Sequence, residues 1–175
     1  MNEIQILTIQ TQKAYEWMRK LTDSIPHKLW EETPEGLETN VSWQIGHQLI
    51  SLYFHSVLVI RGHQKDVAEK IPLAEYSTLF TFKMPPRETI GKKKPNELLT
   101  DLDFVEKKSI EVIKSLSPIE LEDTLEPSRM EHPVAKNKFE ALDWNIKHTM
   151  WHCGQLAILK RLISEHYDFG LKTSS

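Results

Sequence analysis

A chain of 175 residues, 39% apolar and 27% charged, has the make-up of a soluble globular protein and is long enough to bury a core. Its 22 Lys and Arg against 25 Asp and Glu leave a net charge of −3 with no basic tract beyond Lys92–Lys94, which argues against a nucleic-acid face. The one cysteine, Cys153, excludes an intrachain disulfide, and with no signal peptide and no apolar run of about 18 residues the expectation is one cytoplasmic domain over residues 1–175, off the membrane.

The first element is a helix. Ile4, Leu7, Thr11, Ala14, Met18 and Leu21 recur at spacings of three and four, and Pro26 lies just past its expected end. A second helix starts near Asn40 or Ser42, either of which can cap it, and runs to Gly62. It is apolar nearly all round, the mark of a helix covered on most sides. Residues 63–94 follow, with Pro72, Pro85 and Pro86 and the aromatic stretch Tyr76 to Phe82, "YSTLFTF". Connections this long are often functional caps, and this segment is the candidate for one; the plainer reading is a packed surface loop.

Pro95 suits the first position of a third helix. Leu98, Leu102, Val105, Ser109, Val112 and Leu116 then repeat the three-four spacing before Pro118. A polar connector over 117–136 leads to a fourth helix. Asn137 with Glu140 resembles a capping box, and the helix is expected to run to about His166. Four amphipathic helices with one long connection between the second and third predict an all-α four-helix bundle.

The fourth helix carries "WNIKHTMWHCGQL", in which His148 and His152 stand four apart. They lie about 40° from one another on a helix and share the broad apolar face with Ala141, Trp144, Gln155, Leu159 and Leu162. Buried imidazoles need partners, and a divalent ion supplies one to both rings. His47, in the most buried helix with Trp43, Ile50, Phe54 and Leu58 as face neighbours, is the candidate third ligand. His55 lies about 80° around from His47 and two turns along, so it lines the pocket at most. His27, His63 and His132 fall in connectors, and His166 lies far from His152.

Position 149 is Thr, which rules out the H-E-x-x-H pattern, and Gln44 and Asn145 stand where a di-iron carboxylate bundle needs glutamates. On the residues alone, two readings stay open: a cation on three neutral nitrogens, or three buried rings that satisfy one another. Three imidazoles would leave an ion its full charge and an open position, the pattern of catalytic sites. Imidazole suits zinc, nickel, copper and iron alike, with zinc or nickel the first expectation.

Around the ligands, Trp43, Phe54, Trp144 and Trp151 either wall a pocket or are ordinary core aromatics. Ser51 and Tyr53 are further pocket candidates. Gln155, one turn below the pair, is placed to hydrogen-bond behind the ligands or to make a purely structural interhelix bond. On the opposite side, Ile146, Met150, Cys153 and Ala157 form an apolar stripe about 140–200° from His148, which predicts cover by a connector or by a second copy in a homodimer.

The stretches "SWQIGH", Ser42–His47, and "HTMWHCGQLAILKRLI", His148–Ile163, resemble the DinB-like metal-binding family. That resemblance implies an up-down-down-up four-helix bundle and, carried over by position, the metal ligands His47, His148 and His152. The family includes bacillithiol- and mycothiol-type S-transferases and a maleylpyruvate isomerase, so the resemblance implies a low-molecular-weight thiol as substrate and thiol transfer to an electrophile as the reaction. A metal-dependent hydrolase and a stress-related metal-binding protein without catalysis are the alternatives.

Overall fold

The computed structural model describes residues 1–170, and among these there is no strand, only an isolated bridge between Thr124 and Asn137. The first helix, α1 (Glu3–Asp23), opens on a full capping box. Asn2 Oδ1 accepts from the Gln5 amide, and Gln5 Oε1 accepts from the Asn2 amide. All six residues of its predicted stripe are buried. The connector that follows is pinned by Trp30, fully buried, whose indole donates to the Ile25 carbonyl.

The second helix, α2 (Val41–Tyr53), is capped by Asn40, whose Oδ1 accepts from the Trp43 amide at 2.8 Å. It does not stay α-helical to Gly62. A π-helical turn (Phe54–Leu58) intervenes before a last α-helical stretch, α3 (Val59–Arg61). Residues 63–94 are not a bare loop. They hold α4 (Lys65–Lys70), α5 (Leu73–Leu79) and a 3-10 turn (Pro86–Thr89), and they plug into the core through Tyr76 and Phe80, both essentially fully buried. Pro95 opens α6 (Pro95–Lys114) as expected.

The long helix α7 (Lys138–Ile163) stops one turn short of His166. Its capping box is half made: Asn137 Oδ1 accepts from the Glu140 amide, while the Glu140 carboxylate turns to the Lys136 amide. Helices α1 and α2 each pack against α6 and α7. Tyr15 meets Ser109 while Arg19 meets Asp103, so α1 and α6 run antiparallel. Gln44 meets Gln155 while His55 meets His148, so α2 and α7 do too. Arg61 and Ser115 meet at the shared C-terminal ends of α3 and α6. The result is the up-down-down-up order.

Two buried polar ties fix this register. Tyr15 OH shares a 2.7 Å hydrogen bond with Ser109 Oγ and accepts from Asn145 Nδ2 at 3.0 Å, joining α1, α6 and α7. Gln48 Nε2 donates to Thr149 Oγ1 at 2.9 Å, joining α2 to α7 between the levels of the ligand histidines. The apolar stripe of α7 is met largely from within the chain: Cys153 is buried, Ile146 and Ala157 pack against the core, and Met150 is the member left exposed. Among the described residues, no helix is long and apolar enough to cross a membrane.

Candidate metal centre

His47, His148 and His152 come together between α2 and α7, all three buried. Each offers one ring nitrogen, and these nitrogens lie within 4.8 Å of one another. The ring centroids of His148 and His152 are 4.5 Å apart, and those of His47 and His152 5.1 Å. The antiparallel packing of α2 on α7 brings this about, since the seventh residue of a buried helix faces a pair one turn apart on its neighbour.

The hydrogen bonds behind the rings decide their tautomers. His47 Nδ1 lies 2.8 Å from the Phe80 carbonyl, which can only accept. The proton is therefore on Nδ1, and Nε2 carries a lone pair, approached by the Ser51 hydroxyl at 3.3 Å. His152 Nδ1 is bonded to Gln44 Oε1. That amide is oriented by its own donors, since Gln44 Nε2 reaches Thr39 Oγ1 at 2.8 Å and Gln155 Oε1 at 2.7 Å. His152 Nε2 is thus a second lone pair, and it faces His148 Nε2 at 3.2 Å.

His148 cannot be satisfied in this arrangement without help. With its proton on Nδ1, two lone pairs collide at 3.2 Å. With the proton on Nε2, a buried Nδ1 is left with no partner. A cation between the two Nε2 atoms removes the lone-pair clash. Nitrogens at 2.0–2.1 Å around a tetrahedral ion stand about 3.3–3.4 Å apart, close to the 3.2 Å between His148 and His152, with His47 within 4.8 Å of both. The residues present therefore fit a divalent ion, and no carboxylate belongs to the group.

Electrostatics agree with that fit. Burial, reinforced by the neighbouring imidazoles, pushes His152 down to about 2 and His148 down to about 4; burial also lowers His47. All three rings are neutral near pH 7, the state a metal ligand requires.

The surrounding residues divide. Trp43 stacks flat on His47, with ring centroids 4.7 Å apart and planes 5° from parallel. Trp144 flanks His148 at 5.8 Å, and Trp151, 61% exposed, sits at the rim 6.4 Å from the same ring. Ser51 touches His47. Phe54 is not at the ligands; its ring stacks on His132, and with Tyr53 it lines a separate cavity of 860 Å³ under α4 and α5. Gln155 hydrogen-bonds behind the site, one step further out than expected: it holds Gln44, which holds His152.

Sequence reasoning missed three contributors. Gln44 was read only as the absence of a glutamate, although it lies three residues before His47 on the same face. Phe80 supplies a carbonyl, which no side-chain pattern reveals, and Phe82, 83% exposed, lies 4.7 Å from the His47 ring. His55 lines the pocket, which is as much as its position in the sequence allows. It stands in the π turn, and its buried ring lies 5.4 Å from His148.

The sequence pattern of the DinB superfamily matches residues 10–156 of the chain. No curated protein sequence matches it. Among solved structures, the crystal structure of a conserved protein from Enterococcus faecalis superposes with a TM-score of 0.70 at 14% identity, covering 93% of this chain and 98% of that one, a likeness of fold.

Proposed function

The chain belongs to the DinB superfamily, and from that membership and the three facing imidazoles we propose a metal-dependent enzyme that transfers a small thiol to an electrophile. His47, His148 and His152 hold the divalent cation, zinc or nickel. A bound cation of this kind supplies Lewis acidity, lowering the pKa of a thiol or water that reaches its open position. The observation that carries the reading is the 3.2 Å approach of two imidazole nitrogens, one of which has its lone pair fixed outward by Gln44.

The chain's own residues supply orientation. Phe80 and Gln44 fix the rings of His47 and His152 with their Nε2 atoms toward one point. Trp43, Trp144 and the exposed rings of Phe82 and Trp151 make an aromatic rim suited to an apolar electrophile. The thiol reading stands ahead of hydrolysis because the histidine group contains no carboxylate to serve as a general base for water. A thiol, with an ordinary pKa of about 8.5, needs less assistance.

Metal analysis of protein purified without a His-tag, followed by a panel of thiols with monochlorobimane, tests the proposal. In that assay the thiol sulfur forms the new S–C bond, chloride leaves and the thiol proton goes to buffer. Near one equivalent of metal, with turnover lost in His47→Ala and His152→Ala, is expected. Metal without turnover for any thiol leaves a non-catalytic metal-binding protein, and less than about a tenth of an equivalent leaves three core histidines.

A further inference from the structure

Two more of the chain's eight histidines lie against this site. His55, in the π turn after α2, makes an edge contact with His148 at 5.4 Å and another with His132 at 4.7 Å. His132 belongs to the connector between α6 and α7, some eighty residues on, and its Nε2 is 2.7 Å from His55 Nδ1.

The direction of that hydrogen bond is set from its far end. The backbone amides of Val134 and Ala135 donate to His132 Nδ1, at 3.3 and 2.9 Å. A ring nitrogen that accepts from backbone amides carries its lone pair there, so the proton of neutral His132 is on Nε2. His132 Nε2–H therefore donates to His55 Nδ1. The proton of His55 must then be on Nε2, and that N–H has no protein partner among the described residues, although the residue is only 6% exposed. That nitrogen is not sealed from solvent, so an entering molecule can reach it, and its ring lies beside His148, whose own Nδ1 is buried and unpartnered.

We propose that His55 is a substrate-contacting donor of this site: its Nε2–H binds and orients the anionic atom of the substrate that reaches the three imidazoles. His132 is a positioning residue that acts through it by fixing the tautomer. The inference rests on the cation site proposed above, because the cation's charge is what draws an anionic sulfur or oxygen into reach of His55. It supplies what the ligand set lacks, a neutral donor that favours the deprotonated form of the incoming group.

The test uses the full chain loaded with cobalt(II), whose visible spectrum reports a bound anion, titrated with azide. Removing the donor in His55→Phe is expected to raise the azide Kd about tenfold, and His55→Gln, which keeps an N–H near the same place, to recover most of that loss. His132→Asn, which can still accept from the backbone amides but no longer reaches His55, is expected to weaken azide binding while leaving cobalt affinity unchanged. Equal azide affinity in the wild type and His55→Phe overturns the proposal while the cation site stands. Failure of the wild type to take up cobalt at all overturns the cation site first. Independently of any variant, long-range 15N–1H spectra of the histidine rings in the metal-free protein are expected to show His55 protonated on Nε2; protonation on Nδ1 overturns the inference.

Discussion

The ring of Phe80 lies so close over Gly46 that a Cβ at that position would stand 2.4 Å from the ring's Cγ. The carbonyl of the same Phe80 accepts from His47 Nδ1 at 2.8 Å, so one residue of the long connection reads both the bare backbone of α2 and the ligand next to it. Gly46→Ala must push Phe80 away, an overpacking that typically costs about 1–3 kcal/mol. The carbonyl withdraws with it, and zinc affinity is expected to fall about tenfold as His47 loses its orienting partner. Urea unfolding and a zinc titration measure the two losses. In the double variant Gly46→Ala/Phe80→Ala the stability losses should not add, because the second change removes the clash made by the first. Additive losses would show that the two residues act independently.

Gln44 occupies the same kind of position behind His152, and its amide is held in turn by Thr39 and Gln155. Gln44→Leu leaves His152 Nδ1 buried without its acceptor and should weaken zinc binding about 10–100-fold in competition with a chromophoric chelator. Gln155→Ala removes a support one step further out, and Thr39 still holds Gln44, so its effect should be several-fold smaller. Equal effects of the two changes would mean that Gln155, not Gln44, governs the ring.

How much of this could be read from the residues depends on how local each signal is. The stripe Ile4 to Leu21 and the run Leu98 to Leu116 are periodic over some twenty residues each, and both are buried as their spacing requires. His148 and His152 announce themselves by a spacing of four within one helix. Phe80 had no such signal, because α4 and α5 are six and seven residues long, too short for a stripe to declare itself. The pairing of His55 with His132 is hidden for a different reason. "FHSVL" contains neither Gly nor Pro to mark the π turn, and its partner His132 arrives from a connector with no periodicity.

Without metal, the buried histidines make stability depend on acid. His148 and His152 hold their protons only at about 4 and about 2 in the folded chain, because burial and then the neighbouring imidazoles disfavour the charged ring. In the unfolded chain both titrate near the ordinary value of 6.5. As pH falls below 6.5 the unfolded state binds protons that the folded state refuses, so stability is lost from there down toward the folded values. The slope approaches about 1.4 kcal/mol per pH unit for each ring. Urea midpoints of the metal-free protein at pH 7.5 and 5.5 should show this decline, and His148→Leu should show a shallower one. A midpoint unchanged over that interval would mean that the rings are already solvated.

Glu106 has the opposite sign. It is buried between α1 and α6, with one carboxylate oxygen 2.6 Å from Arg19 Nη2 and the other without any partner. Burial outweighs the pull of Arg19 and lifts the carboxyl up to about 7, above its ordinary 4.5. A raised acid favours the folded state while both states are protonated, and that contribution disappears as pH climbs from about 4.5 through about 7. Glu106→Gln keeps a hydrogen-bonding oxygen for Arg19, which still has Asp103 at 3.1 Å, and removes the charge that must be buried. The variant should match the wild type near pH 4.5 and exceed it at pH 8 by an amount on the order of 2 kcal/mol. A variant that is instead less stable at pH 8 than at pH 4.5, relative to the wild type, would mean that the Arg19–Glu106 pair stabilises the bundle more than the buried charge costs it.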